Sequence, residues 1–159
     1  MTDETAPLAA ARDQGSPDEF AAAWEAFFRA VRRAKGRASA QPPAGGLSFA
    51  QFHLLAPLGA DGPQTIRALA ETAGIAPPTA TRMLDGLERD ALVTRTQSAT
   101  DRRCVLVDLT ADGRRALERT AIAMAAARAR VAESLSAAER EQATALLHRL
   151  AVVVEEQMP

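Results

Sequence analysis

Residues 65–109 decide the fold, and they read TIRALAETAGIAPPTATRMLDGLERDALVTRTQSATDRRCVLVDL. Thr65 can cap a short helix that Gly74 stops, and Pro77 begins a longer helix after a tight turn. Apolar residues recur at helical spacing along one side of this second helix, and charged residues and a proline face the other way. The two sets are Ala80, Leu84, Leu87 and Ala91 on the apolar side, and Pro78, Arg82, Asp85 and Arg89 on the opposite side. The pattern predicts a helix-turn-helix.

A β-hairpin is predicted directly after the second helix. The segments Val93–Thr96 and Cys104–Leu109 are rich in β-branched and apolar residues, and a polar, basic tip joins them. Val105, Val107 and Leu109 alternate along the second strand, so we expect them to share its buried face. Helix, turn, helix and hairpin in this order predict a winged-helix layout.

N-terminal to this core, the sequence predicts a flexible arm and one long helix. Residues 1–15 mix Ala, Pro, Gly and charged residues without periodicity, as in a flexible arm. Ser16 and Glu19 can form a capping box, and aromatic residues follow at helical spacing, so a helix begins here. We expect it to end near Gly36. Residues 39–46, rich in Pro and Gly, are predicted to form a loop.

Three further helices are predicted from the residues that begin them. Ser48 begins a helix in which Pro57 is expected to cause a kink or an early end, because proline cannot donate to the carbonyl four residues back. Thr110 caps a long, Ala-rich helix that runs toward Leu135. Ser136 then begins the last helix. The winged helix-turn-helix is thus flanked by helices on both sides.

Length and composition limit what such a fold can do. The chain has 159 residues, of which 47% are apolar and 25% charged, so it can bury one compact core. We predict a single domain over residues 16–159, mainly α with a small β-hairpin wing. The longest apolar run, Ala121–Ala127, is too short for a membrane span, and no secretory signal opens the sequence, so we expect a cytoplasmic protein. A net charge of −1 neither favours nor excludes DNA binding.

No group of residues in the sequence indicates an enzyme. His53 and His148 lie on separate predicted helices without Cys, Asp or Glu at metal-ligand spacing, and no Gly-rich phosphate loop follows a strand. We predict no catalytic residue, no metal and no cofactor. Cys104, the single cysteine, follows two arginines, which favour the reactive thiolate. It is either a redox switch in the wing or a small residue that only fills space.

The segment Leu47–Gly113 resembles the core of the MarR family of winged-helix transcription regulators. Short motifs in the helix-turn-helix and in the wing carry this resemblance. They are Leu69-Ala70, Pro78-Thr79-Ala80-Thr81-Arg82, Leu87-Glu88, Leu92-Val93-Thr94-Arg95, Asp101-Arg102-Arg103, and Val107-Asp108-Leu109-Thr110 with Gly113. The wing motif is the most specific of them. The resemblance implies a dimer that binds duplex DNA and catalyses no reaction.

Two residues depart from the usual pattern of the family. Ala91 stands where the family usually has Gly after the second helix, and a left-handed conformation there costs an alanine about 1 kcal/mol. Ala76 offers no side-chain oxygen as an N-cap, so Pro77 and Pro78 must begin the helix through their fixed φ alone. Neither departure removes a group that would contact DNA.

The second helix of the motif is the predicted recognition helix, which fits the major groove of B-DNA. Pro78 and Arg82 lie on its outward face near its N-terminus, flanked by Thr79 and Thr81. The threonine hydroxyls can bind phosphates or bases, and the guanidinium of Arg82 can bind guanine O6 and N7 together. The alternative is that the threonines are only solvated and that Arg82 pairs with Asp85.

The wing carries the other predicted DNA contacts. Arg95, Arg102 and Arg103 cluster around a tip that has one acid, Asp101. The resemblance implies that Asp101 holds Arg103 in place while this arginine enters the minor groove. The alternative is a solvated hairpin tip, although ordering a paired arginine there costs side-chain entropy that a DNA contact would offset.

The flanking helices, residues 16–36 and 111–157, carry apolar stripes that one winged helix cannot cover. The resemblance implies that they interleave with the same helices of a second copy. Two recognition helices then lie about one turn of DNA apart, and the operator is an imperfect palindrome. We predict a repressor. The rival interpretation is a winged-helix protein-interaction module without specific DNA binding.

Members of the MarR family often respond to small effectors that bind between the dimer helices and the DNA-binding part. The resemblance therefore implies release of DNA by a small aromatic or phenolic molecule. Trp24, Phe28 and His53 are the predicted pocket residues. The alternative is that these side chains are ordinary core residues.

Overall fold

The computed structural model describes residues 16–40, 43–98 and 104–157. The chain divides into two units, residues 1–41 and 42–159. The first contains helix α1 (Pro17–Ala40), and the second contains α2 (Phe49–Asp61), β1 (Gln64–Thr65), α3 (Ile66–Thr72), α4 (Pro77–Arg89), β2 (Val93–Gln97), β3 (Val105–Leu109), α5 (Ala111–Glu133) and α6 (Ala137–Gln157). The predicted arm, residues 1–15, lies outside the described residues.

The predicted fold class is confirmed, because helices and one small antiparallel sheet make up the described part of the chain. The sheet has three strands in the order β1-β3-β2, one strand more than the predicted hairpin. β2 pairs with β3 along its whole length, and β1 adds Gln64 opposite Val107. The sequence does not reveal β1, because a two-residue strand has no periodicity and exists only through its pairing with β3.

Local capping explains where the helices of the second unit begin. At the start of α2, the Ser48 N–H donates to Oε1 of Gln51 at 2.9 Å, and the Gln51 N–H donates to Oγ of Ser48 at 3.3 Å. The other predicted caps are also confirmed, as reciprocal pairs of Ser16 with Glu19 and Ser136 with Glu139, and as hydroxyl caps at Thr65 and Thr110. Hydrogen bonds with Ser136 hold the pKa of the Glu139 carboxyl below its ordinary value.

The core lies where α2, α3, α4, α5 and the sheet meet. Its buried apolar side chains are Leu47, Leu54, Leu55, Leu58, Leu69, Ala70, Ala80, Leu84, Leu87, Val93, Val107, Leu109 and Ala116. Thr120 of α5 is also buried, and its hydroxyl accepts the Leu47 N–H at 2.8 Å and donates to the Ala116 carbonyl at 2.9 Å. The hydroxyl therefore joins the segment before α2 to α5 and is itself fully paired.

The predicted end of α1 near Gly36 is wrong, and so is an early end of α2 at Pro57, whereas the kink predicted there as the alternative stays a prediction. α1 continues through Gly36 to Ala40, because a glycine inside a helix costs only about 1 kcal/mol and the residues around it are good helix formers. The predicted loop therefore starts later than residue 39. α2 continues through Pro57 to Asp61. Proline removes one backbone hydrogen bond, but the next residue, Leu58, is fully buried and its burial offsets part of that cost.

Two predicted buried positions are also wrong. Val105 is 40% exposed, whereas Val107 and Leu109 are buried. The reason is that Val105 pairs with Gln97 at the end of the hairpin farthest from the core. Ala91 was expected on the buried side of the recognition helix, but α4 ends at Arg89 and Ala91 is exposed.

The last helix differs from the core helices in its burial. None of the residues of α6 is buried, although it carries several large apolar side chains. Large apolar side chains are exposed on three helices, at Phe20, Phe27 and Phe28 of α1, at Ile122 and Val131 of α5, and at Leu146, Leu147, Val152 and Val153 of α6. None of the described helices is both long enough and apolar enough to cross a membrane.

Candidate DNA-binding interface

The helix α4 has one buried and one exposed side, as predicted. Ala80, Leu84 and Leu87 are fully buried against the core. The opposite side presents Pro78, Arg82, Asp85 and Arg89, which are all exposed. Since the buried side fixes the helix to the core, the exposed side is held in a defined orientation toward solvent.

The N-terminus of α4 presents few hydrogen-bond donors. Ala76 is the N-cap and makes no side-chain hydrogen bond, as its missing side-chain oxygen predicted. Pro77 and Pro78 have no N–H group, and the N–H groups of Thr79 and Ala80 both donate to the Ala76 carbonyl, at 2.9 and 3.2 Å. The tip of α4 therefore offers a largely apolar surface, and side chains must supply the polar contacts.

The three polar side chains predicted near this tip have different environments. Thr79 is exposed, whereas Thr81 is half-buried and its hydroxyl donates to the Pro77 carbonyl at 3.0 Å. Arg82 is exposed, and its Nε lies 3.4 Å from the Pro78 carbonyl. No ion pair joins Arg82 to Asp85 among the described residues, so the alternative in which Arg82 pairs with Asp85 is not the arrangement found. The two terminal nitrogens of Arg82 make no hydrogen bond or ion pair with another described residue.

Asp85 instead binds Arg95 of β2. Nη2 of Arg95 lies 2.7 Å from Oδ1 of Asp85, and Nη1 lies 3.5 Å from Oε2 of Glu88. The side chain of Arg95 is only 23% exposed, and its Nε is buried with no hydrogen-bond partner among the described residues. Arg95 was predicted from the sequence to contact DNA, and this bridge between the wing and the recognition helix was not predicted. The one sequence feature that could have indicated the bridge is the pair of acidic residues three positions apart on α4.

The C-terminal end of α4 is joined to the start of α5. Ala91 has φ of 57°, the left-handed conformation anticipated from its departure from Gly. The hydroxyl of Thr110 donates to the Ala91 carbonyl at 2.7 Å while it accepts the Gly113 N–H at 2.9 Å. A Cβ on Gly113 would lie 1.9 Å from the Leu92 carbonyl oxygen, so only glycine fits there. Thr110 thus caps α5 and also holds the end of the recognition helix, a second role the sequence did not show.

The tip of the wing falls outside the described residues. This applies to Asp101, Arg102 and Arg103, so their DNA contacts stay predictions from the sequence. At the base of the tip, the Ser98 N–H donates to the Cys104 carbonyl at 2.9 Å, which continues the pairing of β2 with β3. Cys104 is half-buried, and its redox activity also stays a prediction.

Two surface pockets lie beside α2 in the second unit. The larger, about 440 Å³, lies between α2 and α5 and is lined by Phe52, Leu109, Leu117 and Arg114, among others. The smaller, about 380 Å³, lies between α2 and α3 and includes His53 in its lining. Trp24 and Phe28 belong to α1, in the other unit, where their ring centroids lie 4.6 Å apart and the ring planes are tilted by 49°. Of the three predicted effector residues, His53 is the one found at a described pocket.

No group of three His, Cys, Asp or Glu side chains is placed to hold a metal ion within residues 16–40, 43–98 and 104–157. The basic groups of the described interface are arginines, which suit phosphates and guanine edges.

Comparison with known proteins agrees with this geometry. The model of the MarR family matches residues 47–105. A search among curated proteins gave no match. Solved structures gave many, of which CouR, a transcriptional repressor bound to a 23-mer DNA duplex, is 34% identical, with 79% of this chain and 89% of CouR covered and a TM-score of 0.65.

Two other solved structures are similar over most of their length. Staphylococcus aureus MepR, in complex with DNA, is 26% identical, with 82% of this chain and 97% of MepR covered and a TM-score of 0.70. Bordetella bronchiseptica BpsR, whose DNA binding is regulated by 6-hydroxynicotinic acid, is 26% identical, with 81% of this chain and 98% of BpsR covered and a TM-score of 0.61. The MarR family consists of transcription regulators and not of enzymes, CouR is a transcriptional repressor, and MepR is a transcription regulator. Together with the winged-helix geometry, they show that this chain belongs to the MarR family of DNA-binding transcription regulators.

Proposed function

We propose that the chain is a homodimeric repressor that binds an imperfect palindrome in duplex DNA and is released by a small aromatic effector. The observation that carries this proposal is the exposed side of α4. Its buried side is fixed by three core residues, and the exposed Arg82 lies near its N-terminus without an ion pair to another described residue. This is the geometry that a helix needs to read base edges in the major groove.

The base contacts of α4 would come from four residues. Arg82 would bind guanine O6 and N7, and Pro78 with the methyl of Thr79 would contact thymine methyl groups. The half-buried Thr81, whose hydroxyl donates to the Pro77 carbonyl, would contribute a methyl or a phosphate contact. Pro77 and Pro78 remove N–H donors that could bind a phosphate. Side-chain contacts to bases would therefore contribute more to DNA binding here than phosphate contacts of the helix N-terminus.

A second copy would cover the exposed apolar side chains of α1, α5 and α6. A helix gains most of its stability from packing an apolar face, yet α6 buries no residue within one chain. Exposed Leu146, Leu147 and Val153 lie on that helix, and a patch of this kind marks an interaction site. A two-fold axis through such an interface makes both copies equivalent, which accounts for a palindromic operator with half-sites about 34–36 Å apart.

Repression and effector release are supported by the similar proteins. CouR is a transcriptional repressor, and the DNA binding of BpsR is regulated by 6-hydroxynicotinic acid. In this chain, the two pockets beside α2 share Ala56 and Ala60 in their linings. The larger pocket combines the apolar Phe52 and Leu117 with Glu118 and with Arg114, whose Nη2 lies 3.1 Å from Oδ1 of Asp108. The apolar part of this lining suits a small aromatic or phenolic molecule.

The effector proposal is tested by filling the pockets. Ala56→Phe would narrow both pockets, and Ala50→Phe, at an exposed position of the same helix, is the matched control. We expect both variants to bind DNA, and only the Ala50 variant to be released by aromatic acids such as 6-hydroxynicotinic acid that release the parent chain. Release of the Ala56 variant at the same concentrations would place the effector elsewhere.

The wing would add minor-groove contacts through Arg103, oriented by Asp101. Arg103→Ala should weaken operator binding and lower the salt slope of the binding constant by about one, with melting unchanged. Asp101→Ala removes a negative charge from the wing tip. If the tip attracts DNA only through its net charge, this change should tighten operator binding. If Asp101 orients Arg103, it should weaken operator binding. The affinity of Asp101→Ala at fixed salt separates the two roles.

The whole proposal is tested by DNA binding of the full chain. Fluorescence anisotropy compares duplex from upstream of its own gene with a shuffled duplex of the same length, at two salt concentrations, and sedimentation gives the mass of the complex. We expect binding about a thousandfold tighter to the upstream duplex, with two chains per site. Equal affinity for both duplexes would favour the protein-interaction module, and one chain per site would overturn the dimer.

A further inference from the structure

The first wing strand and the recognition helix are tied together by one side chain, Arg95. Its Nη2 lies 2.7 Å from Oδ1 of Asp85, and its Nη1 lies 3.5 Å from Oε2 of Glu88. Asp85 and Glu88 are three residues apart, so they share one side of α4 and form a two-carboxylate acceptor for the guanidinium. Charge-assisted hydrogen bonds of this kind are stronger and more directional than neutral ones.

The strand places Arg95 on the side of the sheet that faces the core. Val93, two residues before it, is buried, whereas Thr94 between them is exposed, so Arg95 points the same way as Val93. Its partner across the ladder is Val107, which is also fully buried. An arginine on this side of β2 points toward α4 and away from the surface that Thr94 faces.

The surroundings of Arg95 hold it firmly. The side chain is 23% exposed, less than Asp85 at 49% and Glu88 at 42%. Its Nε is buried without a hydrogen-bond partner, and an unpaired buried donor is unfavourable. The ion pairs with Asp85 and Glu88 offset the unfavourable burial of Nε and fix the guanidinium of Arg95 in this orientation. It is therefore poorly placed to bind a phosphate.

We propose that Arg95 is a positioning residue, which sets the angle between the wing and the recognition helix and so lets both fit the DNA at once. β2 leads directly into the wing tip, and α4 carries the base-reading residues, so a change in the angle between them would misplace one relative to the other. The proposal rests on the proposed function, because it assigns to Arg95 a role in DNA binding that works through Asp85 and Glu88 and not through a DNA contact.

The sign of one substitution separates positioning from contact. Asp85→Asn removes a negative charge from the DNA-facing side and loosens Arg95. If Arg95 bound phosphate, this change would free it and tighten binding. The positioning role predicts operator binding weaker by about three- to thirtyfold, the usual range for coupled neighbours. Asp90→Asn is the matched control, because Asp90 is an exposed acid just beyond α4 that makes no ion pair among the described residues.

A second substitution keeps the positive charge at position 95 and removes the planar guanidinium that contacts both carboxylates. Arg95→Lys retains one positive charge but cannot reach two carboxylates with a planar fork. We expect a similar loss of operator affinity with an unchanged salt slope and little change on shuffled DNA. A phosphate contact predicts near-normal binding of Arg95→Lys and a slope lower by about one for Arg95→Ala. The exchanged pair, Asp85→Arg with Arg95→Asp, should recover part of the affinity lost by either single change.

These measurements use the full chain well below its melting temperature, and melting is recorded for each variant so that loss of folded protein is not read as loss of affinity. Tighter operator binding by Asp85→Asn, or wild-type affinity of Arg95→Lys, would overturn the proposal. If the parent chain itself does not distinguish operator from shuffled DNA, the proposed function fails, and that outcome is separate from either result on the variants.

Discussion

The helices α4 and α6 show two different ways in which this chain stabilises a helix. α4 has 13 residues, of which three are fully buried, and its exposed side is mainly polar. α6 is longer, with 21 residues, and buries none of them while leaving large apolar side chains exposed. The predicted recognition helix is therefore held by the core of its own chain, whereas the apolar side chains of the last helix are exposed in the described chain.

This difference indicates that different parts of the chain are stabilised in different ways. The segment from α2 to the start of α5 has a continuous core, so its geometry is set within one chain. The stability of α1 and α6 is expected to depend on packing against a second copy and hence on protein concentration. The variants below alter one side of this comparison while leaving the other side intact.

Removal of α6 should have the largest effect. A chain truncated after Leu135 should be monomeric or aggregated and should lose about 100-fold or more in operator affinity, because two linked half-site contacts become one. Sedimentation and anisotropy measure both effects. In the full chain, Leu147→Glu should act in the same direction, while Gln142→Glu on the same helix is the control for added charge. A soluble, fully active monomer would end the dimer model.

One substitution, glycine to alanine, should have opposite signs in the two regions. Gly113→Ala should destabilise the chain by about 1–3 kcal/mol or more, because its Cβ would meet the Leu92 carbonyl oxygen at 1.9 Å. Gly36→Ala should stabilise α1 by about 0.5–1 kcal/mol, because nothing lies within 4 Å of the added carbon and alanine favours helix. Chemical denaturation gives both values. A stable Gly113 variant would contradict the close contact between α5 and the end of α4.

The smallest effect is expected at the end of the recognition helix. Ala91→Gly should stabilise the chain by about 0.5 kcal/mol, because glycine removes the strain of φ 57° but gains more freedom in the unfolded state. Thermal melting measures the shift. Ala76→Gly, at a residue with ordinary negative φ, is the control and should not stabilise. A loss of stability in Ala91→Gly would mean that the left-handed conformation carries no strain.

Helix starts could be predicted from the sequence, because their signals are local. Ser16, Ser48 and Ser136 each begin a helix through a side-chain contact three residues away, and the hydroxyl caps at Thr65 and Thr110 act over the same distance. Helix ends were harder to predict. α1 passes Gly36 because the residues around this glycine are good helix formers, and α2 passes Pro57 because the burial of Leu58 offsets part of the cost of the proline.

The candidate site was predictable only in part, for a related reason. The exposed side of α4 follows from helical periodicity, so Arg82 and its neighbours were placed correctly. The bridge from Arg95 to Asp85 joins residues ten positions apart on different elements, and no local pattern reports it. The same holds for Thr110, whose bond to the Ala91 carbonyl spans 19 positions. Contacts of this kind depend on the tertiary fold.

The central claim, that α4 reads DNA sequence, is tested most directly by the affinity of Arg82→Ala for the operator and for shuffled DNA at one salt concentration. The account predicts a loss of about 1–3 kcal/mol on the operator and almost none on shuffled DNA. Arg89→Ala, at the far end of the same exposed side, is the matched control and should affect both DNAs alike. Equal losses of Arg82→Ala on both DNAs would contradict the claim, because Arg82 would then contact only phosphate.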